Sequence, residues 1–515
     1  MFTAFFRLTQ NIPVFFCKKR VLTQYLGGSM KLQNFLSIFQ QKNLFSEKLG
    51  NDADLEIKSI GCDSRFVTPG QLFFVKGVHF KPEYLQQAEK NGAVALVCQQ
   101  KQNSNLPQII VTDIRKAMPL AANIFYQNPS AKYQLVGITG TKGKTTCAYM
   151  LKSIFDKAFG KNKTGLISTT EAICGEKKLE KTGTTPEALE LFGILNQFAR
   201  QKIKAACMEV SSQGLQYHRV DEVDFDTGIF LNLGSDHISP TEHKSFEEYK
   251  QAKKQLFSLC KNAVINIDDP YGEEFLQSAR CEKKYTISIR QPADFYAKNI
   301  LLSKNGSSFE LAGPYLNNVF IELRIAGEFN IYNALSAIAA AFLAGCDLQS
   351  IQDGLLDTVI AGRMQIYEKN GITVVVDYAH NELSFEAVFR HLKKFYPTSR
   401  IVCLFACQGN KAYDRRTELP QVVGKYADFA VITSDDPENE EPQAIIDEVE
   451  AELKKTGIPY TRIEDREQAV HYAVTHARKG DVVLLAGKGQ ETTQKGRGGT
   501  VFFKGDLPSA IEALK

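Results

Sequence analysis

The clearest chemistry lies at residues 137–146, GITGTKGKTT, between the apolar run YQLVGIT and the helical run CAYMLKSIF. Glycines there let backbone N–H groups close on phosphate oxygens, and the helix that follows contributes positive potential at its N-terminus. Lys144 is placed to reach outer phosphates and Thr145 to hold Mg²⁺. The general phosphate-loop pattern has a glycine five residues before Gly143, where this chain has Ile138, so the core is the shorter GTKGKTT. A second concentration of polar residues follows four apolar runs, ITVVVD, RIVCLFA, FAVITS and DVVLLAG, which end in YAHN, CQGNK, DDPENE and KGQET. Ligands of open α/β sheets bind outside the carboxyl ends of strands, so these four ends predict one shared crevice.

These residues need α/β scaffolding, and the 515-residue length suggests about three domains at roughly 150 residues each. From Met30 to about Asp113, strand-like runs (QLFFVKG, AVALVCQQ) mix with short helical patterns, giving a small α/β domain over 30–113. A helical stretch over 114–126 and the turn QNPSAK lead into a central domain, 114–354, where strands and helices alternate. KAACMEV and DTGIFLNL read as strands of a mainly parallel sheet covered on both faces. Residues 355–515 repeat the strand-then-helix rhythm as a Rossmann-like domain, with only 487–500 Gly-rich enough to be expected mobile.

Hydrophobic residues at 43% and charged ones at 23% are ordinary for soluble globular chains. Net charge is +4, and Arg7, Lys18, Lys19 and Arg20 within residues 1–29 account for it, so no nucleic-acid footprint is expected. Gly27, Gly28 and Ser29 read as a translated ribosome-binding site, making 1–29 an expected mis-called extension before a start at Met30. Eleven cysteines without a CxxC suggest neither a disulfide framework nor a zinc site, and point to a reducing cytoplasm. The longest apolar run, ALSAIAAAFLAG, has the length of a buried helix, so no membrane insertion is expected.

After Met30 the chain resembles the Mur ligases, most closely the MurE type, which adds the third residue of the peptidoglycan stem peptide. The resemblance rests on ordered motifs: DSR (63–65), GTKGKTT, TTPE (184–187), MEVSSQGL (208–215), SDH (235–237), YKQAK (249–253), GEFNIYN (327–333), GRM (362–364), DYAHN (377–381) and GKGQE (487–491). Folylpolyglutamate synthetases share the ATP loop but lack the N-terminal nucleotide-sugar domain, TTPE and EVSS. An ATP-gated binding protein without ligation would not need the full set of phosphoryl-transfer residues.

The resemblance implies that ATP phosphorylates a substrate carboxylate and an amine displaces phosphate from the acyl phosphate, acting on UDP-N-acetylmuramoyl-L-alanyl-D-glutamate in a monomeric enzyme. Gly140, Thr141, Lys142, Gly143, Lys144, Thr145 and Thr146, with Asn330, Arg363, Asp377 and His380, would hold ATP. Thr145, Glu209, His237 and Lys253 would serve Mg²⁺, Lys253 as a CO₂-derived carbamate; Lys144, Lys253 and His237 would be catalytic. Ser64, Thr184, Thr185, Ser211 and Arg219 would grip the nucleotide sugar and its peptide, while Tyr217 stands where many members have Gln.

Lys411, Asp435, Asp436, Glu438, Gly487 and Glu491 would select the incoming amino acid. MurE enzymes that add meso-diaminopimelate carry DNPR where this chain has DDPE, so Glu438 replaces the Arg that holds the distal carboxylate. A carboxylate there repels that group and welcomes the ε-ammonium of L-lysine, the expected substrate, with diaminopimelate and ornithine as alternatives. GNKAYDRR (409–416) also resembles the lysine-adding form, with Lys411 on the α-carboxylate.

Overall fold

The computed structural model describes residues 28–50, 54–77, 80–235, 238 and 242–515. Most of the extension before Met30, and His237, lie outside the described residues. The first region contains β1 (Met30–Lys31), β2 (Phe45–Leu49), β3 (Glu56–Ile57), β4 (Ser59–Gly61), β5 (Gln71–Phe74), β6 (Ala93–Cys98) and β7 (Gln108–Val111). β1 and β3 form an antiparallel pair; the others make a sheet of order β2-β7-β6-β5-β4, parallel except for β2.

The helix Ile114–Phe125 starts where Asp113 accepts the Arg115 N–H at 2.9 Å. Its apolar residues pack both on the helix Leu32–Gln41 and on the helix Ala188–Arg200. One continuous apolar core therefore runs from the first sheet into the second region, with Phe35 stacked on Phe125 at 6.3 Å.

The central sheet contains β8 (Gln134–Thr139), β9 (Thr164–Ile167), β10 (Ala172–Cys174), β11 (Lys177–Leu179), β12 (Ala205–Glu209), β13 (Phe225–Phe230), β14 (Cys260–Asn266), β15 (Lys283–Ser288), β16 (Phe295–Leu302), β17 (Ser307–Ala312) and β18 (Val319–Leu323). Their order is β11-β10-β9-β12-β8-β13-β14-β15-β16-β17-β18, with a parallel centre from β9 to β16. Register aligns Glu209 with Ile138 and Phe230 with Thr139, so three carboxyl ends converge beside the phosphate loop. The antiparallel β16–β18 meander departs from the expected strand–helix alternation. Its strands alternate buried and exposed residues, the pattern of a sheet wet on one face.

The helix Lys144–Phe159 packs on β8, β9 and β12, beside the helix Phe329–Leu343, which covers β13 to β16, and against the helix Leu348–Leu356. Gly354 makes one crossing possible, since a Cβ there would sit 2.5 Å from the Ile154 Cα. The run ALSAIAAAFLAG supplies most of the helix Phe329–Leu343, buried along most of its length because alanine keeps its surface smooth.

The third region holds β19 (Gln365–Lys369), β20 (Ile372–Asp377), β21 (Ile401–Phe405), β22 (Phe429–Ile432), β23 (Tyr460–Arg462) and β24 (Val482–Ala486), in order β19-β20-β24-β21-β22-β23. All are parallel except the edge strand β19. The segment expected to be mobile instead forms a hairpin, β25 (Thr493–Gly496) and β26 (Gly499–Phe502). Gln494 holds it down by donating to the Ser434 and Asp435 carbonyls, both at 2.9 Å. Among the described residues, no helix is long and apolar enough to cross a membrane.

Candidate active site

β8 ends at Thr139, and the chain turns through Gly143 (φ +85°) into the helix Lys144–Phe159. As N-cap, Gly143 offers no side chain to the first-turn N–H groups, which leaves them for an anion. It is also a close approach: a Cβ there would lie 2.3 Å from Asn333 Oδ1. The Lys142 N–H donates to Asn232 Oδ1 at 2.8 Å, and the Thr141 and Tyr249 hydroxyls meet at 3.0 Å. Lys144 Nζ donates to the Gly140 carbonyl at 2.8 Å, and Lys253 Nζ to that same carbonyl at 2.9 Å. Two ammonium groups thus converge on the loop, an arrangement that favours a polyanion. This cradle fits a nucleotide triphosphate.

Glu209, at the end of β12, is 1% exposed. It accepts from the Thr145 hydroxyl at 2.8 Å and from the Thr169 N–H and hydroxyl at 2.7 and 3.0 Å. Thr145 and Glu209 together present hard oxygen donors of the kind Mg²⁺ takes with retained waters. Lys253, from the helix Phe246–Lys254, is equally buried. Among the described residues, no group of three or more His, Cys, Asp or Glu side chains is arranged to hold a metal ion.

The third region meets this loop. Lys142 Nζ is 3.1 Å from His380 Nε2, while His380 Nδ1 is 2.7 Å from the Tyr378 carbonyl. A carbonyl only accepts, so Nδ1 carries the proton and Nε2 receives the lysine's. Asp377 accepts the Met364 and Ala379 N–H groups, each at 2.7 Å. Burial pushes its carboxyl above the usual range, against the pull of Arg363 and those donors. The Arg363 guanidinium lies 4.3 Å from the Tyr378 ring centre, and the Tyr378 hydroxyl donates to Glu491 at 2.8 Å. Asn330 is buried, donating to the Ala326 carbonyl at 2.7 Å and accepting from Asn333 at 2.9 Å. Asn333, one helical turn on, was not singled out from sequence, although the i,i+3 spacing within GEFNIYN puts it on the same face.

On the side facing the first region, the Thr185 hydroxyl donates to the Glu209 carbonyl at 3.0 Å and accepts the Ser211 N–H at 2.9 Å. Arg219 donates to the Thr185 carbonyl at 3.0 Å and pairs with Glu187 at 2.7 Å. Lys76, from the first region, pairs with the same Glu187. Burial raises the Glu187 pKa, but Lys76 and Arg219 outweigh it and hold the carboxyl below its usual value. Tyr217 lies under the Arg115 guanidinium at 4.4 Å. Thr184 meets Thr169 at 3.1 Å, and Ser64 donates to Gln87 at 2.8 Å. Lys76, Arg115 and Glu187 were missed; only Glu187 lay inside a quoted motif.

The residues expected to select the amino acid divide into two groups. Asp435, Asp436 and Glu491 surround Lys488 Nζ at 2.9, 2.5 and 3.2 Å. Burial alone would lower the Lys488 pKa and raise that of Asp435, but their mutual attraction overrides both, keeping the lysine protonated and the carboxyl ionised. The charges of Asp435 and Asp436 are thus answered internally. Gly487 (φ +107°) lets β24 turn into this cluster. Lys411 and Glu438 instead face a cleft of about 360 Å³, with Lys411 Nζ 3.9 Å from Glu438. The cleft is also lined by Gln213, Glu242, Gly409, Asn410 and Asn439.

Three family profiles cover most of the chain: "Mur ligase family, catalytic domain" over residues 56–127, "Mur ligase middle domain" over 138–341 and "Mur ligase, glutamate ligase domain" over 362–489. The UDP-N-acetylmuramoyl-L-alanyl-D-glutamate–2,6-diaminopimelate ligase of Caldanaerobacter subterraneus subsp. tengcongensis is 39% identical, over 88% of this chain and 94% of its own. The UDP-N-acetylmuramoyl-L-alanyl-D-glutamate–L-lysine ligase of Enterococcus faecalis is 36% identical, over 93% and 95%. A solved structure of a UDP-N-acetylmuramoyl-L-alanyl-D-glutamate–2,6-diaminopimelate ligase superposes with TM-score 0.65 at 26% identity, covering 94% of this chain and 99% of its own. The chain belongs to the Mur ligase family of ATP-dependent ligases, and within it to the MurE type.

Proposed function

We propose that the chain joins L-lysine to the D-glutamate carboxylate of UDP-N-acetylmuramoyl-L-alanyl-D-glutamate in cytoplasmic peptidoglycan synthesis. The carrying observation is the cleft around Lys411: among the described residues lining it, Lys411 is the sole cation and none is an arginine. Diaminopimelate brings two carboxylates to the acceptor site. With Lys411 engaged by the α-carboxylate, the second would face Glu438, whereas the ε-ammonium of lysine is attracted to it.

ATP bound at the phosphate loop supplies the phosphoryl group that activates the carboxylate. Lys144 and the first-turn N–H groups of the helix hold its phosphates, and Thr145 with Glu209 serves Mg²⁺. Carbamylated, Lys253 would turn a cation at Gly140 into a further oxygen donor for metal. Thr185, Ser211 and Arg219 orient the peptidyl end of the nucleotide sugar, and Lys142 with His380 keeps the third region over the loop, excluding water from a hydrolysable acyl group. The three regions act as domains 30–113, 114–354 and 355–515 for sugar nucleotide, ATP and amino acid.

The name of the Caldanaerobacter relative supports a second reading, with meso-diaminopimelate as acceptor. Phosphate release with the nucleotide dipeptide, ATP and Mg²⁺, comparing L-lysine, L-ornithine and meso-diaminopimelate with products checked by mass, separates them. Turnover with lysine supports the proposal; preference for diaminopimelate overturns it.

A further inference from the structure

β14 and β15 run parallel with Asn262 opposite Lys283, so the residues two places back on each chain segment, Cys260 and Cys281, also lie opposite one another. The pairing continues past the strands: the Glu282 N–H donates to the Lys261 carbonyl at 2.9 Å, and the Arg280 N–H to the Phe257 carbonyl at 3.2 Å. Neighbouring strands stand about 4.8 Å apart. That spacing falls within the Cα separation a disulfide accepts, about 4.4–6.8 Å. The side chains follow the backbone, with the two sulfurs 3.2 Å apart. Cys260 Sγ fills space that Gly228 leaves, since a Cβ there would come within 2.7 Å of it. Cys281 Sγ is fixed from its other side by the Phe257 carbonyl at 3.2 Å.

This pair sits at the amino ends of β14 and β15, the opposite edge of the central sheet from the phosphate loop. Cys260 is buried and Cys281 is partly exposed. A cleft of about 500 Å³ reaches them: Cys260 lines it together with Leu259, Lys261 and both neighbours of Cys281, Arg280 and Glu282. The hydrogen bond with Cys260, helped by Lys284, holds the Cys281 thiol below its ordinary value despite burial. The same bond, with burial, pushes the Cys260 thiol up. Among the described residues the remaining cysteines are all pushed up by burial. An accessible sulfur that ionises readily, beside a second thiol able to resolve it, is the arrangement that undergoes reversible two-electron oxidation.

We infer that Cys260 and Cys281 form a reversible modification site, a dithiol that a hydroperoxide converts to an intramolecular disulfide. The Cys281 thiolate attacks one peroxide oxygen and the O–O bond breaks. The departing oxygen takes up a proton and leaves as an alcohol, or as water when the oxidant is hydrogen peroxide, and Cys281 becomes a sulfenic acid. Cys260 then attacks that sulfur: the S–S bond forms, the S–O bond breaks, and hydroxide leaves as water with the Cys260 proton. Two thiols and one hydroperoxide thus give one disulfide, one alcohol and one water, the sulfurs losing two electrons to the peroxide oxygens. A dithiol reductant returns both thiols by exchange. Closing the bond brings the sulfurs from 3.2 Å to about 2 Å, with the two backbones already at the required spacing.

The experiment treats the reduced, folded full chain with hydrogen peroxide, blocks remaining thiols by alkylation and maps the peptides by mass, for wild type, Cys260→Ser and Cys281→Ser. The wild type is expected to lose about 2 Da, located in a linked Cys260–Cys281 peptide that dithiothreitol separates. In Cys260→Ser, Cys281 should stop at the sulfenic acid, which dimedone traps. In Cys281→Ser, oxidation of Cys260 should be about tenfold slower or more than formation of the link in the wild type. Absence of the linked peptide from the folded wild type overturns the inference. So does a wild type in which Cys281 accumulates as sulfinic acid while Cys260 is still alkylated, since Cys260 would then not resolve it. A link that forms only in urea-unfolded protein also overturns it, because the strand register would play no part.

Discussion

Lys142 Nζ lies 3.1 Å from His380 Nε2, linking the phosphate loop to the segment after β20. His380 can accept there because its other nitrogen is engaged by the Tyr378 carbonyl. Replacing His380 by Ala removes a charge-assisted contact between regions, and the KM for ATP should rise about tenfold, with far-ultraviolet circular dichroism unchanged. An unaltered ATP KM would mean that the contact does not serve nucleotide binding.

Lys253 shares the Gly140 carbonyl with Lys144 and is 1% exposed. Lys253→Ala is expected to lower kcat about 10²–10³-fold, the scale seen when one preorganised electrostatic group is lost. If the carbamate forms, wild-type activity should fall reversibly in buffers stripped of CO₂ and return with bicarbonate, while Lys253→Ala shows no such response.

Gly143 adopts φ +85° with Asn333 Oδ1 where a Cβ would be. Gly143→Ala must displace either the loop or Asn333. A misplacement of about 1 Å at a reacting group can cost about 100-fold, so kcat/KM for ATP should fall by that order. Isothermal titration with a non-hydrolysable ATP analogue would separate lost binding from lost turnover.

Lys488 is buried among Asp435, Asp436 and Glu491. Lys488→Met leaves carboxylates buried without their counter-charge, and the expected loss is about 3–5 kcal/mol of unfolding free energy at neutral pH. In the wild type, the Asp435 carboxyl is held below its ordinary value of 3.8. Its stabilising share is therefore complete above that value and lost as pH falls through the lower folded pKa. Without Lys488, burial raises the Asp435 pKa, so the folded variant takes up a proton that the unfolded chain does not. The deficit relative to wild type should shrink as pH is lowered from 7 toward 5, measurable by urea denaturation at each pH.

Glu438→Arg places a guanidinium in the cleft beside Lys411. Activity with L-lysine should fall about 100-fold as a like charge meets the ε-ammonium, and any activity with meso-diaminopimelate should rise. Competition between the two amino acids, read by product mass, checks the direction.

Much of the site was legible from local sequence. A phosphate loop is a strand, a glycine turn and a helix N-terminus in succession, so GTKGKTT announces itself, and apolar runs such as ITVVVD and DVVLLAG became β20 and β24. The meander β16–β18 was not anticipated, because its half-exposed alternation gives a weaker signal than a buried parallel strand. The hairpin β25–β26 was missed because its order comes from Gln494 reaching the Ser434 and Asp435 carbonyls, contacts about sixty residues away in sequence. DDPENEEP read as one acidic loop. Folding divides it into Asp435 and Asp436, neutralised by Lys488 in the interior, and Glu438, turned by a left-handed residue toward the cleft.

By itself the sequence determined which chemistry was available: a phosphate cradle, the residues around it, and a carboxylate where an arginine would suit a second acid. These follow from residue type and short-range spacing, which chain geometry translates directly into strand ends and helix starts. Only the tertiary structure decided which charges cancel, since Lys488 and Glu187 find their counter-ions through segments distant in the chain. Charge in a loop is a property of composition, but charge presented to a substrate depends on burial and on the nearest counter-ion, and both are set by packing.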